Sequence, residues 1–368
     1  MFDRRLIENF DWGFVALILL IGSMGLVILY SALTAGQDAG VVHVLFKKQM
    51  IWMGTGFTIM MITVMIDFRD LDKLNLFIYV LCVGLLISVI FFGEIGGGSR
   101  RWLLLGFVRI QPSELMKIAL IISLSSVYST SVSQTGLNFR KLINPVILCT
   151  IPFVLIVKQP DLGTGLLLLL IAGSITLFVK VERKVFFTLA GVCFAAVPLV
   201  WFALKEYQKL RILTFLNPDR DPLGAGYHII QSKIAIGSGM LTGKGFLKGT
   251  QSALSFLPEQ HTDFIASVLA EEWGLVGSSI LLILYFFLLL WGLNIAYNCR
   301  NMFGSILAFG VTIMIFWQIF INIGMVMGLM PVVGVPLPLV SYGGSSVITN
   351  MVGFGILLNI SMRKFSSK

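Results

Sequence analysis

GFVALILLIGSMGLVILY, residues Gly13–Tyr30, carries no charge over a length that lets a helix cross a bilayer. LGTGLLLLLIAGSITLF, Leu162–Phe178, is a second run of the same kind. Neither alternates apolar with polar residues as a barrel strand would, so both read as membrane-spanning helices. The composition extends that reading to the whole chain. Of 368 residues 57% are hydrophobic and 12% charged, which excludes a water-soluble enzyme.

Charge-poor apolar windows at 12–31, 49–66, 75–92, 114–130, 142–158, 161–179, 186–204, 273–296, 304–323 and 346–361 predict about ten spans. The expected fold is therefore all-α: one polytopic integral membrane domain over 1–368, with a single long extracytoplasmic loop at about 205–262. The fourth window is the most polar, through Ser123, Ser125, Ser126, Ser129, Thr130 and Ser131. Arg4 and Arg5 precede the first window as they would in a signal peptide, but the apolar run is long for one. Cys82, Cys149, Cys193 and Cys299 sit in or beside apolar segments without metal or disulfide spacing, and read as packing residues.

Lys and Arg set the orientation. With the N-terminus inside, the cytoplasmic set is Arg4, Arg5, Arg69, Lys73, Arg140, Lys141, Lys180, Arg183, Lys184, Arg300, Arg363, Lys364 and Lys368. Short outer connections hold only Lys47, Lys48, Arg100, Arg101, Arg109 and Lys158. Both termini are therefore expected in the cytoplasm, and this topology absorbs most of the +9 net charge, which disfavours nucleic-acid binding. Arg100, Arg101, Arg109 and Arg211 remain on the disfavoured side. They suit either an anionic ligand or lipid headgroups and structural carboxylates. Glu114, Asp161, Asp263, Glu271 and Glu272 all fall at outer ends of spans, where a costly ionisable group marks a candidate site.

Gln111-Pro112-Ser113-Glu114-Leu115-Met116-Lys117 opens the fourth span and places Glu114 and Lys117 on one helical face. The two either neutralise each other or turn Lys117 toward a phosphate. Pro160 and Asp161 read as turn and helix-start chemistry, with Asp161 also a possible partner for an arginine. Gly243-Lys244-Gly245 imitates a phosphate loop, but Ser238 and Gly245 occupy positions that need Gly and Ser or Thr, so a nucleotide site is rejected. Thr262 or Asp263 either caps the following helix or serves a reaction. From Met330 to Ser346, three prolines and paired glycines interrupt an uncharged stretch. Such irregular backbone fits a tight interhelical loop or a re-entrant segment lining an outer cavity.

Taken together, Ser99–Trp102, Gln111–Lys117, Gln159–Thr164, Asp221–Ser238, His261–Gly274 and Pro331–Ser345 make the chain resemble the SEDS family (shape, elongation, division and sporulation) over nearly its full length. Asp221–Lys233 and Val268–Glu272 place it nearer the members serving cell elongation than those serving division. Trp273 stands where Leu is more usual. The resemblance implies a bacterial peptidoglycan glycosyltransferase of the cytoplasmic (inner) membrane that polymerises lipid II on the outer face. It also implies a class B penicillin-binding protein, a transpeptidase, as partner. Asp263 falls at the position of the family's essential aspartate.

Transfer from an α-linked donor to a β-1,4 product inverts the anomeric centre, so one carboxylate must deprotonate the incoming hydroxyl. Asp263 is expected as that base. Arg101, Lys117 and Arg211 are expected to contact the undecaprenyl pyrophosphate leaving group, with Glu114 orienting Lys117. A divalent cation, Mg²⁺ or Mn²⁺, is a further way to steady the phosphates. Two other classes compete: a lipid II flippase and a non-catalytic scaffold for the synthase. A carrier needs access from both sides and usually shows internal repeats, whereas the polar groups here gather on one side.

Overall fold

The computed structural model describes residues 10–34, 39–96, 99–106, 108–131, 137–203, 206–217, 224–253 and 259–363. Arg4, Arg5, Lys364 and Lys368 of the inner basic set, and the motif residues at 221–223, lie outside them. In chain order the elements are α1 (Trp12–Thr34), α2 (Ala39–Met65), α3 (Phe68–Lys73), α4 (Asn75–Phe92), β1 (Glu94–Gly96), β2 (Ser99–Leu105) and β3 (Val108–Ile110). There follow α5 (Pro112–Ser131), α6 (Phe139–Lys158), α7 (Leu162–Phe178), α8 (Arg183–Ala203), α9 (Glu206–Leu216), α10 (Ala225–Gly239) and α11 (Thr250–Ala253). The chain closes with α12 (Ile265–Asn298), α13 (Met302–Val326) and α14 (Gly344–Arg363).

Every apolar window read from the sequence falls on a helix. Among the described residues, six of these helices (α1, α4, α6, α12, α13 and α14) are long and apolar enough to cross a membrane, and α7 is a shorter apolar helix. Helix α5 is not among the six because of its Ser-rich half. It packs against α4, α6, α7, α13 and α14 and buries most of its length, Ser123 and Ser125 included. A helix enclosed by other helices meets protein rather than lipid, so it tolerates hydroxyls that a lipid-facing helix would not.

Three expectations need correction. The chain is not wholly α-helical: β1, β2 and β3 form an antiparallel sheet in that order. Its middle strand, SRRWLLL, pairs on both edges, which satisfies the backbone of a connection too polar and glycine-rich to be a span. Lys47 and Lys48 do not lie in irregular chain between helices either, because α2 starts at Ala39 and carries both on exposed positions. The 205–262 segment is not simply a loop, since α9, α10 and α11 lie within it.

Helix α12 starts at Ile265, upstream of the expected 273, and is broken at Gly274 (φ 63°, ψ −157°), a conformation only glycine adopts readily. The turn after α10 dovetails into the break. The amides of Lys244 and Gly245 donate to the carbonyls of Glu271 and Glu272 at 3.0 and 2.9 Å, and those of Leu275 and Val276 donate to Met240 and Leu241 at 2.9 and 3.1 Å. A Cβ on Gly243 would lie 2.1 Å from the Glu272 carbonyl oxygen. Gly243-Lys244-Gly245 thus has a packing role in place of phosphate binding.

The buried carboxylates fasten the same turn. Glu271 Oε1 accepts from Lys244 Nζ at 2.7 Å and from the amides of Thr250 and Gln251 at 2.7 and 2.9 Å, while Ser31 Oγ donates to Glu272 Oε1 at 2.6 Å. Ser232 of α10 donates to the Val326 carbonyl at 2.6 Å, so the motif's Gln231-Ser232-Lys233 docks this helix on the end of α13.

Candidate active site

Between α13 and α14 the chain runs irregularly from 327 to 343, as its prolines and glycines predict. Side chains from neighbouring helices supply the hydrogen bonds it cannot make itself. Gln49 donates to the Ser341 carbonyl and accepts from the Gly343 amide, Asn322 donates to the Val335 carbonyl at 2.8 Å, and Tyr285 donates to the Pro338 carbonyl at 2.6 Å. With its polar groups met in this way, the segment can lie in the bundle and line a cavity.

That cavity measures about 360 Å³. Its walls bring together Arg101 from β2, Gln111 and Glu114 from the start of α5, Asp161 and Thr164 from α7 and Arg211 from α9. Glu259, Thr262 and Asp263, which precede α12, face Gly334, Tyr342, Ser345 and Ser346. Residues scattered from 101 to 346 converge here. Four of the five expected site residues are on the wall: Arg101, Glu114, Arg211 and Asp263.

Lys117 is the exception. Its ammonium lies behind the wall, 2.8 Å from each Glu114 oxygen, with the side chain 1% exposed. Arg100 is exposed, and the exposed Arg109 side chain pairs with Glu94 at 3.3 Å on the sheet and does not line the cavity.

Asp161 acts as a hub. It caps α7 through the Thr164 amide, accepts from Thr164 Oγ1 at 3.0 Å and Gln111 Nε2 at 3.1 Å, and stands 3.7 Å from Arg101. A second contact from Arg101 reaches the Pro160 carbonyl, while its buried Nε has no partner among the described residues. Both sequence readings of Asp161 are realised: it starts a helix and it holds an arginine.

Asp263 does not cap α12. The cap position is Phe264, with no side-chain hydrogen bond, and Thr262 Oγ1 donates backward to Glu259. Burial pushes the Asp263 carboxyl up to about 6, and the charge of Glu259 pushes the same way. Arg211 and Arg101 pull against them. Desolvation wins, so the group is a far better proton acceptor than a surface aspartate. Gly334 (φ 73°) lies over the carboxylate, where a Cβ would stand 3.2 Å from Oδ2.

Residues 11–366 match the family of cell cycle proteins of the FtsW, RodA and SpoVE type. The chain belongs to this family. It is 46% identical to the peptidoglycan glycosyltransferase MrdB of Escherichia coli K12 over 93% of this chain and 92% of that one. It is 33% identical to the peptidoglycan glycosyltransferase RodA of Treponema pallidum over 98% and 99%.

Among solved structures, one described as showing structural coordination of polymerization and crosslinking by a peptidoglycan synthase complex superposes with a TM-score of 0.83. It covers 97% of this chain and 99% of that one at 30% identity. RodA of Thermus thermophilus superposes at 0.72, covering 97% and 98% at 27% identity.

For a member of this family, the sequence left several residues of the cavity unassigned. Gln111, Tyr342, Ser345 and Ser346 all sat inside the quoted stretches without a role, and Glu259 lay two residues before one of them. A polar side chain next to a proline or glycine break was the available signal.

Proposed function

We propose that this peptidoglycan glycosyltransferase polymerises lipid II on the outer face of the bacterial cytoplasmic membrane during cell elongation, by inverting transfer with Asp263 as general base. The single observation that carries the reading is a carboxyl pushed up to about 6 in a cavity whose walls also hold Arg101 and Arg211. A base must be ionised at working pH yet remain basic, and a value near 6 meets both needs.

Asp263 takes the proton from the acceptor sugar hydroxyl as that oxygen attacks the donor's anomeric carbon. The bond to the pyrophosphate breaks, and its electrons leave with the phosphate oxygens. Arg101 and Arg211 hold that growing charge; the Arg101 Nε, without a partner among the described residues, is a donor suited to it. Asp161 keeps the Arg101 guanidinium in place. Lys117 reaches a phosphate only by releasing Glu114; in the observed geometry the pair presents Glu114 to the cavity already neutralised.

A resident Mg²⁺ or Mn²⁺ would need converging oxygen ligands. No three Asp, Glu, His or Cys side chains among the described residues are placed to hold one, and Glu114 and Asp161 are committed to Lys117 and Arg101. The donor set of the described residues does not fit a protein-held metal, and every step above uses the chain's own groups.

The proposed setting is a single unit of about ten spans with both termini in the cytoplasm and the Asp263 cavity facing outward. A class B penicillin-binding protein would crosslink the product. Purified protein given labelled lipid II should make polymer without another glycosyltransferase. Asp263→Asn should lower that rate about 10²–10⁴-fold while folding and partner binding persist. Near-normal polymer from Asp263→Asn would remove it as the base, and lipid II transport without polymer would favour the flippase.

A further inference from the structure

Three consecutive carbonyls lead into α12, and each is held from outside its own segment. His261 O accepts from the Tyr342 amide at 2.9 Å, Thr262 O from Ser341 Oγ at 2.6 Å, and Asp263 O from Asn322 Nδ2 at 3.1 Å. The third differs from the others because its donor comes from a helix, α13, and not from the irregular segment.

Asn322 is fully buried. Its second amide hydrogen goes to Val335 O at 2.8 Å, one residue after the Gly334 that lies over the Asp263 carboxylate. One amide group thus spans the backbone that carries the acid and the backbone that roofs it. Ser341 completes the frame, accepting from the Leu337 amide at 2.8 Å while donating to Thr262.

No described residue hydrogen-bonds the Asp263 carboxylate, so within that set the group is only as fixed as its backbone. A displacement of about 1 Å at a reacting group costs on the order of 10²-fold in rate. We infer that Asn322 is a positioning residue for the reaction, setting the Asp263 backbone relative to Val335 and thereby the place of the carboxylate between Arg101, Arg211 and Gly334. This rests on the reading of Asp263 as base.

The same helix provides a matched control. Gln318, one turn away, is equally buried, yet among the described residues neither its amide oxygen nor its nitrogen has a partner. Replacing either amide by leucine removes a polar group from the same helix and keeps a side chain of comparable bulk. Only Asn322→Leu cuts the connection to the site.

The experiment uses the full chain with two readouts, amide hydrogen exchange over 259–266 and steady-state polymerisation of lipid II. Asn322→Leu should speed exchange there, lower kcat on the order of 10²-fold with KM within about twofold, and displace the acid limb of the pH profile. Gln318→Leu should leave all of these as in the wild type. If Asn322→Leu does not fold, Asn322→Ser, smaller and with one donor, should show the same signature at lower amplitude.

Unchanged exchange in a folded Asn322 variant overturns the inference, as does faster exchange with normal kcat, or an equal loss in Gln318→Leu. A wild-type chain that makes no polymer would sink the proposed function instead. The exchange data would then still decide whether Asn322 holds this segment.

Discussion

Lowering the pH should switch the enzyme off through Asp263 well above the range where ordinary aspartates titrate. With the carboxyl at about 6, only about a tenth of the molecules hold an ionised base at pH 5, and about nine-tenths do at pH 7. The initial rate of lipid II polymerisation should therefore fall about tenfold over that interval, along an acid limb centred near 6.

Two substitutions test the cause. Glu259 raises the group and Arg211 lowers it, so Glu259→Gln should move the limb to lower pH and Arg211→Gln to higher pH, whatever each does to the maximum rate. Stability runs in the opposite sense. A folded value above the unfolded one stabilises the fold below about pH 4, and that contribution is lost as pH rises through 6. A limb near pH 4, or two variants shifting it the same way, would refute both the burial argument and the assignment of the base.

The buried ion pair and the break in α12 give two further tests. Lys117→Met leaves Glu114 buried beside the cavity without its cation, and should destabilise the chain by about 3–5 kcal/mol in denaturation; Lys117→Met with Glu114→Gln should recover most of the loss. If the double variant also polymerises lipid II normally, the pair has a structural role alone, whereas loss of donor binding with stability restored would give Lys117 a phosphate contact. Gly274→Ala forces a side chain into a φ of 63° with its Cβ 2.3 Å from the Gly243 amide nitrogen. It should cost at least about 1–3 kcal/mol in thermal unfolding, and an unchanged midpoint would show that the dovetailed turn is not held as described.

Much of the fold is legible in the sequence because a bilayer imposes a coarse rule: long uncharged runs become helices. Gly13–Tyr30 and Leu162–Phe178 obey it directly. The rule weakens where a helix is surrounded by protein, which is why α5 looks like the poorest span yet is deeply enclosed. It also says nothing of Glu94–Ile110, whose strands pair with one another. Asp263 is legible through its motif and its cost at membrane depth, and the Met330–Ser346 break through prolines that cannot continue a helix.

Asn322 is a different matter. Within an apolar helix it looks the same in sequence as Gln318, and only the folded chain shows that one amide reaches the site while the other finds no partner among the described residues. Charge and apolar length along the chain determine which segments can enter the membrane and which ionisable groups are costly there, since those are properties of single segments. Tertiary structure alone decides that Arg101, Glu114, Arg211 and Asp263 share one cavity, that Lys117 stands behind its wall, and that burial outweighs two arginines at Asp263. Each of those outcomes depends on distances between residues far apart in sequence and on how much water the packing removes around them.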